Sequence, residues 1–156
     1  LLGNPTGNKI LVKVGLADDE ISQLELYSNK YTPKIKYSWN LTKAIFIEID
    51  RVSKEKGAKT LIVIIPERAQ VYKEHWENAK RYYSLNESDY NLSKPNDILI
   101  EFGKENDILV LDLLPEFRKH AIAGEQLYYP DGHWNANGHQ LAAELIYEKL
   151  IQDKLI

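Results

Sequence analysis

Thr60-Leu61-Ile62-Val63-Ile64-Ile65, closed by Pro66, decides the fold. Every residue but Leu61 is β-branched, and the run does not alternate with polar residues. Such a run marks a strand covered on both faces, the situation of parallel sheets packed between helices. Asp107-Ile108-Leu109-Val110-Leu111 is a second stretch of the same kind. Amphipathic segments surround the two. Ser38 is read as the cap of a helix in which Trp39, Leu41, Ala44, Ile45, Ile49 and Val52 recur at helical spacing. Lys54, Lys56 and Gly57 suit its C-terminal end. A helix is expected over about 69–83, then a polar loop over 84–93. Ser93 and Pro95 then open a helix that ends near Gly103. A short helix over 115–123 follows the second strand. The last helix runs over 135–151, with Leu141, Leu145, Ile146 and Leu150 on its apolar face. Buried strands joined through helices predict parallel neighbours with right-handed crossovers. The fold class is therefore α/β, expected as a three-layer α/β/α arrangement around a parallel sheet.

Upstream of Ser38 the pattern is less regular. Residues 1–9 are rich in Gly, Pro and Asn and read as a loop. Ile10, Val12, Val14 and Leu16 alternate as in a strand, and Lys34–Tyr37 reads as a short edge strand behind Pro33. Residues 1–37 thus form an irregular, hairpin-like segment before an α/β core over 38–156. Two core strands are few, since sheets usually have about 4–6. The chain begins at Leu1 and contains no Met. Together these features lead us to expect either a single domain or the C-terminal part of one whose N-terminal remainder supplies further strands.

Composition narrows the function classes. The chain has 156 residues, 44% hydrophobic and 28% charged, with a net charge of −3. This is the profile of one folded domain, too apolar for disorder. No basic surplus favours a nucleic-acid partner. No apolar run reaches the roughly 18–20 residues of a membrane span. Cysteine is absent, which removes disulfides and thiolate chemistry and leaves the compartment open.

The densest polar constellation is Pro130-Asp131-Gly132-His133-Trp134-Asn135-Ala136-Asn137-Gly138-His139. A carboxylate two residues from a histidine on an irregular turn can accept the imidazole Nδ1–H. That arrangement leaves Nε2 free to take a proton from a hydroxyl. Gly132 permits the unusual backbone such a turn needs. The same residues equally suit a plain turn with His133 capping the helix that follows. His139 with Asp131 and His133 is a weak alternative as a metal set, without the helical spacing that would support it. His75, Trp76 and His120 read as surface or packing residues, and Asp112 as the cap of the short helix after its strand. Asn40, Asn86 and Asn91 begin Asn-x-Ser/Thr sequons of the kind that arise by chance. The tyrosines are scattered and suggest no stacking platform.

The run from Asp131 to His139, followed by Gln140-Leu141-Ala142-Ala143-Glu144, resembles the last sequence block of the SGNH hydrolases, also called GDSL esterases. In that family this block supplies the catalytic Asp and His and enters a helix through a Gly-His pair. Leu61–Tyr72 and Val110–Pro115 look like further strand-to-loop segments of the same superfamily, so the resemblance spans roughly Trp39 to Leu150. It implies a flavodoxin-like α/β/α domain that cleaves or transfers an ester acyl group. His133 would be the general base and Asp131 its orienter. The substrate would be a small-molecule, glycan or lipid acyl ester. No metal or organic cofactor is implied, and an extracytoplasmic or membrane-associated setting would be in keeping with the family.

Two departures qualify what the resemblance implies. The common pattern puts two residues between Asp and His and proline after His. Here Gly132 alone intervenes and Trp134 follows, a form similar to that of alginate-acetylation and related acyltransferase proteins of the superfamily. The family's Gly-Asp-Ser block is missing: none of Ser22, Ser28, Ser38, Ser53, Ser84, Ser88 and Ser93 stands behind Gly-Asp after a strand. Leu2-Gly3-Asn4-Pro5 is at most a remnant of another block. The serine is therefore expected outside this chain. The rival reading, from another class, is a non-catalytic scaffold or interaction domain that keeps the fold and the turn.

Overall fold

Pro33 opens a long helix, not an edge strand. Its fixed φ suits the first helical turn, and Thr32 ahead of it caps the helix, Oγ1 accepting from Ile35 N at 3.3 Å. In this computed structural model, which describes residues 24–156, helix α1 is Pro33–Glu55. The expected strand over Lys34–Tyr37 is therefore helical, and Ser38 does not cap. Its hydroxyl donates back to Lys34 O at 3.1 Å within the helix. The boundary drawn at residue 38 falls inside α1. The expected strand over Ile10–Leu16 and the Leu2–Pro5 remnant lie outside the described residues.

The order continues β1 (Leu61–Ile64), α2 (Arg68–Val71), α3 (Lys73–Tyr83), α4 (Lys94–Asn106), β2 (Leu109–Asp112), α5 (Leu114–Ile122) and α6 (Ala136–Gln152). The strands pair in parallel, Leu61 opposite Leu109 and Ile64 opposite Asp112, as their apolar runs predicted. Their alternate side chains enter two clusters. Ile62 packs with Phe102 and Ile108, against which Val110 and Phe46 lie. Val63 and Leu111 face Leu113, Leu114, Phe117, Leu127 and Leu141.

Two helices depart from expectation, one through a tertiary contact and one through its local cap. The segment 69–83 is two helices, broken at Tyr72, whose backbone is extended (φ −107°, ψ 114°). The break frees the Tyr72 hydroxyl to donate to Glu125 O at 2.7 Å and accept from Leu127 N at 2.9 Å. Helix α4 runs past Gly103 because Asp107 takes the left-handed capping conformation at φ 54°. On α1, Ile35 and Phe46 face the interior, whereas Leu41, Ile45, Ile49 and Val52 are between 41% and 50% exposed. The helix carries two apolar stripes, and periodicity alone does not say which one is covered. No described helix is long and apolar enough to cross a membrane.

The carboxyl ends of the strands are tied by a buried polar chain. Asp112 Oδ1 accepts from Leu114 N at 3.0 Å, the capping role expected of it, and from Asn96 Nδ2 at 2.7 Å. Asn96 Oδ1 accepts from Gln70 Nε2 at 2.9 Å, and Gln70 Oε1 accepts from Glu67 N at 2.9 Å. Asn96 and Gln70 are buried, so each bond lost leaves a polar group without water. Asp112→Ala should therefore lower stability by about 2–4 kcal/mol, combining an orphaned buried amide with a lost cap. Urea unfolding measures it, and a cost below about 0.5 kcal/mol, the scatter of ordinary surface changes, would contradict the network's role.

Candidate functional site

Asp131 and His133 occupy the tip of a short hairpin. Tyr128 and Trp134 form an antiparallel bridge. Tyr129 N donates to His133 O at 2.7 Å, and Asn135 N to Leu127 O at 3.0 Å. Pro130, Asp131 and Gly132 close the tip, Gly132 N donating to Tyr129 O at 3.0 Å. The sequence writes this turn residue by residue. Proline pre-sets the second position, and Gly132 takes φ +95°, a backbone that L side chains rarely adopt. A three-residue loop ending in a left-handed residue is a common hairpin solution.

The turn brings the two candidate residues together. Asp131 Oδ1 accepts from His133 N at 3.1 Å, and Oδ2 lies 3.3 Å from His133 Nδ1. That is just beyond the hydrogen-bonding range of about 2.6–3.2 Å expected for such a pair. Asp131 is held below the ordinary carboxylate range, first by the His133 backbone N–H and then by the His133 ring. Both side chains face solvent, His133 at 84% and Asp131 at 66%. His133 does not cap the last helix. Asn135 does, its Oδ1 accepting from Gly138 N at 3.1 Å. The plain turn and the Asp–His approach are both present.

The hairpin is seated at the carboxyl end of β1, where open parallel sheets place their sites. Tyr128 Oη donates to Pro66 O at 2.7 Å, and burial pushes this phenol up to about 12. Arg68 Nη1 donates to Tyr129 O at 3.0 Å and to Pro130 O at 2.6 Å. Beneath, rings stack edge to face: Tyr72 on Tyr128 at 5.9 Å and Trp134 on His139 at 5.5 Å, with Phe117 tilted against Trp134 at 5.0 Å. Two of the tyrosines, Tyr72 and Tyr128, thus meet at the base of the hairpin. Gly138 allows the close approach of α6, because a Cβ there would lie 2.3 Å from Leu127 O. Beside the hairpin a cleft of about 340 Å³ is lined by Arg68, Tyr72, His75, Gln126, Tyr128, Tyr129 and Pro130. Burial, and then the charge of Arg68, push the His75 imidazole down.

The other sequence candidates fall elsewhere. Trp76 is buried against Tyr90, and His120 pairs with Glu125 at 3.0 Å on the surface. Among the described residues no group of three or more His, Asp or Glu is placed to hold a metal, so His139 does not complete a set with Asp131 and His133. No described serine hydroxyl hydrogen-bonds His133. Ser28 and Ser38 donate to backbone carbonyls, and Ser93 accepts from Arg118 Nη1 at 3.3 Å. Arg68 and Tyr72 escaped the sequence reading. Arg68 stands in the stretch after β1, but nothing in it points to carbonyls more than sixty residues away.

Because its folded-state value is depressed, the stability that Asp131 contributes is present above the unfolded aspartate value, about 3.9, and is lost as pH falls through the folded one. The Asp131 carboxyl carbon, followed by NMR, should titrate below about 3.9. A midpoint at or above that value would show the turn contacts to be absent in solution.

Neither the curated proteins nor the solved structures contain a match to this chain. A family model described as "SGNH hydrolase-like domain, acetyltransferase AlgX" matches residues 27–156, from the first turn before α1 to the end of the chain. The Asp-Gly-His-Trp turn, its seat at the end of a parallel strand and this match agree: the chain belongs to the SGNH hydrolase-like domain family.

Proposed function

We propose that this chain supplies the histidine–aspartate half of an acyl-transfer site acting on carboxylester or O-acyl groups. The observation that carries the reading is the Asp131–His133 approach on a left-handed turn at the end of β1. Asp131 orients the imidazole through Nδ1. The opposite nitrogen, on a ring 84% exposed, takes the proton of a serine hydroxyl as that oxygen attacks the acyl carbonyl, then returns it to the departing alkoxide. The serine belongs to a part of the protein outside this chain. The family's description as an acetyltransferase supports acetyl as the group carried and a hydroxyl acceptor in place of water. A three-layer α/β/α domain is part of the proposal. Alternate strand residues enter clusters with α1 and α4 on one side and with α5 and α6 on the other.

The rival reading, a scaffold that keeps the turn without the chemistry, draws on the solvent exposure of the pair and on the lack of a described serine beside it. The two part company in the complete protein, but they agree on this chain alone. A histidine–aspartate pair without a positioned nucleophile or oxyanion donors, each worth about 10²–10³ in rate, is left with background. Hydrolysis of a short-chain activated ester by the 156-residue chain should match buffer, with His133→Ala indistinguishable from it. Turnover that disappears in His133→Ala would place a working nucleophile within this chain and overturn the assignment of the serine elsewhere.

A further inference from the structure

We infer that Arg68 is the positioning residue of this site, a clamp that fixes the hairpin carrying Asp131 and His133 over the carboxyl end of β1. The inference rests on the reading of those two residues as the base pair. The hairpin's internal bonds set the shape of its tip but not its direction relative to the sheet. Tyr128 anchors the base of the hairpin to Pro66 O. Arg68 reaches further, to Tyr129 O and Pro130 O, the two carbonyls that immediately precede Asp131. One of these, Tyr129 O, also accepts the Gly132 N–H that closes the turn. A charged donor makes bonds roughly twice as strong as a neutral one, and here both bonds go to backbone carbonyls.

Arg68 is itself well placed to act as a reference point. It begins α2, directly after Glu67, whose N–H is held by Gln70 Oε1. Gln70 is bonded through Asn96 to Asp112 at the end of β2. A continuous line of hydrogen bonds and covalent neighbours therefore runs from the end of β2, past the end of β1, to the residues that orient His133. An error of about 1 Å in placing a catalytic base costs on the order of 100-fold in rate, so such a line is where the site's precision would be set.

The test follows the labelled chain by NMR in wild type, Arg68→Ala and Arg68→Lys. Amide exchange is read at Tyr129 and Gly132, whose N–H groups close the hairpin, and at Leu113, whose N–H bonds Ile64 O in the sheet. In Arg68→Ala the two hairpin amides should exchange about tenfold faster or more, the scale expected for losing charged hydrogen bonds. Leu113 should be unchanged, and the Asp131 carboxyl should titrate back toward its ordinary value. The unchanged Leu113 amide separates this outcome from a general loss of stability, which would accelerate all three. Arg68→Lys keeps the charge but ends one atom short of Nη1. It should move the same signals in the same direction by less, and it carries the test if Arg68→Ala does not fold. Unchanged hairpin amides, or Leu113 accelerating in step with them in a folded variant, would overturn the clamp. Because no turnover is measured, failure here leaves the proposed chemistry standing, and a silent ester assay leaves the clamp standing.

Discussion

The backbone of Leu127 is held from three directions, and the candidate site depends on it. Its N–H donates to the Tyr72 hydroxyl, its carbonyl accepts from Asn135 N, and the same carbonyl is the surface against which Gly138 brings the start of α6. Its side chain is fully buried beside Phe117 and Leu141. One residue thus joins the break between α2 and α3, the hairpin and the last helix. A hairpin of two short arms has little stability of its own in water. This one is ordered because its base belongs to the core while its tip stands in solvent.

That division of labour suits an acid–base group. The tip's shape comes from Pro130 and Gly132, and its seat from Tyr128, Arg68 and the ring stack below. The side chains of Asp131 and His133 remain open to solvent. A buried pair would hold a tighter contact than 3.3 Å but would be closed to a nucleophile arriving from another segment. Among the described residues the pair has no serine hydroxyl bonded to it, so the proposed acyl transfer needs a nucleophile from elsewhere.

The two strands and their parallel pairing were legible because runs such as Thr60–Ile65 admit few other readings. The turn was legible because Pro-Asp-Gly has local chemistry that leaves little choice. What escaped was set by contacts distant in sequence. Tyr72 breaks a helix that its neighbours would continue, since its hydroxyl is committed to Glu125 and Leu127. Thr32 and Pro33 start α1 earlier than Ser38 because proline at a helix start and proline before an edge strand look alike in one dimension. Apolar periodicity in α1 named a stripe, Leu41 to Val52, that turns out to be largely exposed, while Phe46 from the other stripe reaches Phe102 at 6.2 Å. Asp131 and His133 could be picked from spacing, but Arg68 could not, because its partners are backbone carbonyls with no sequence signature.

The central claim is that His133 is built to activate a serine that this chain does not contain. A fluorophosphonate probe, which bonds covalently only to a serine made nucleophilic by an adjacent base, tests it by intact mass. The 156-residue chain should stay unmodified. The protein extended by the segment that supplies the serine should gain a single adduct, and His133→Ala should abolish it. An adduct on the chain alone, or one that survives His133→Ala in the extended protein, would contradict the account.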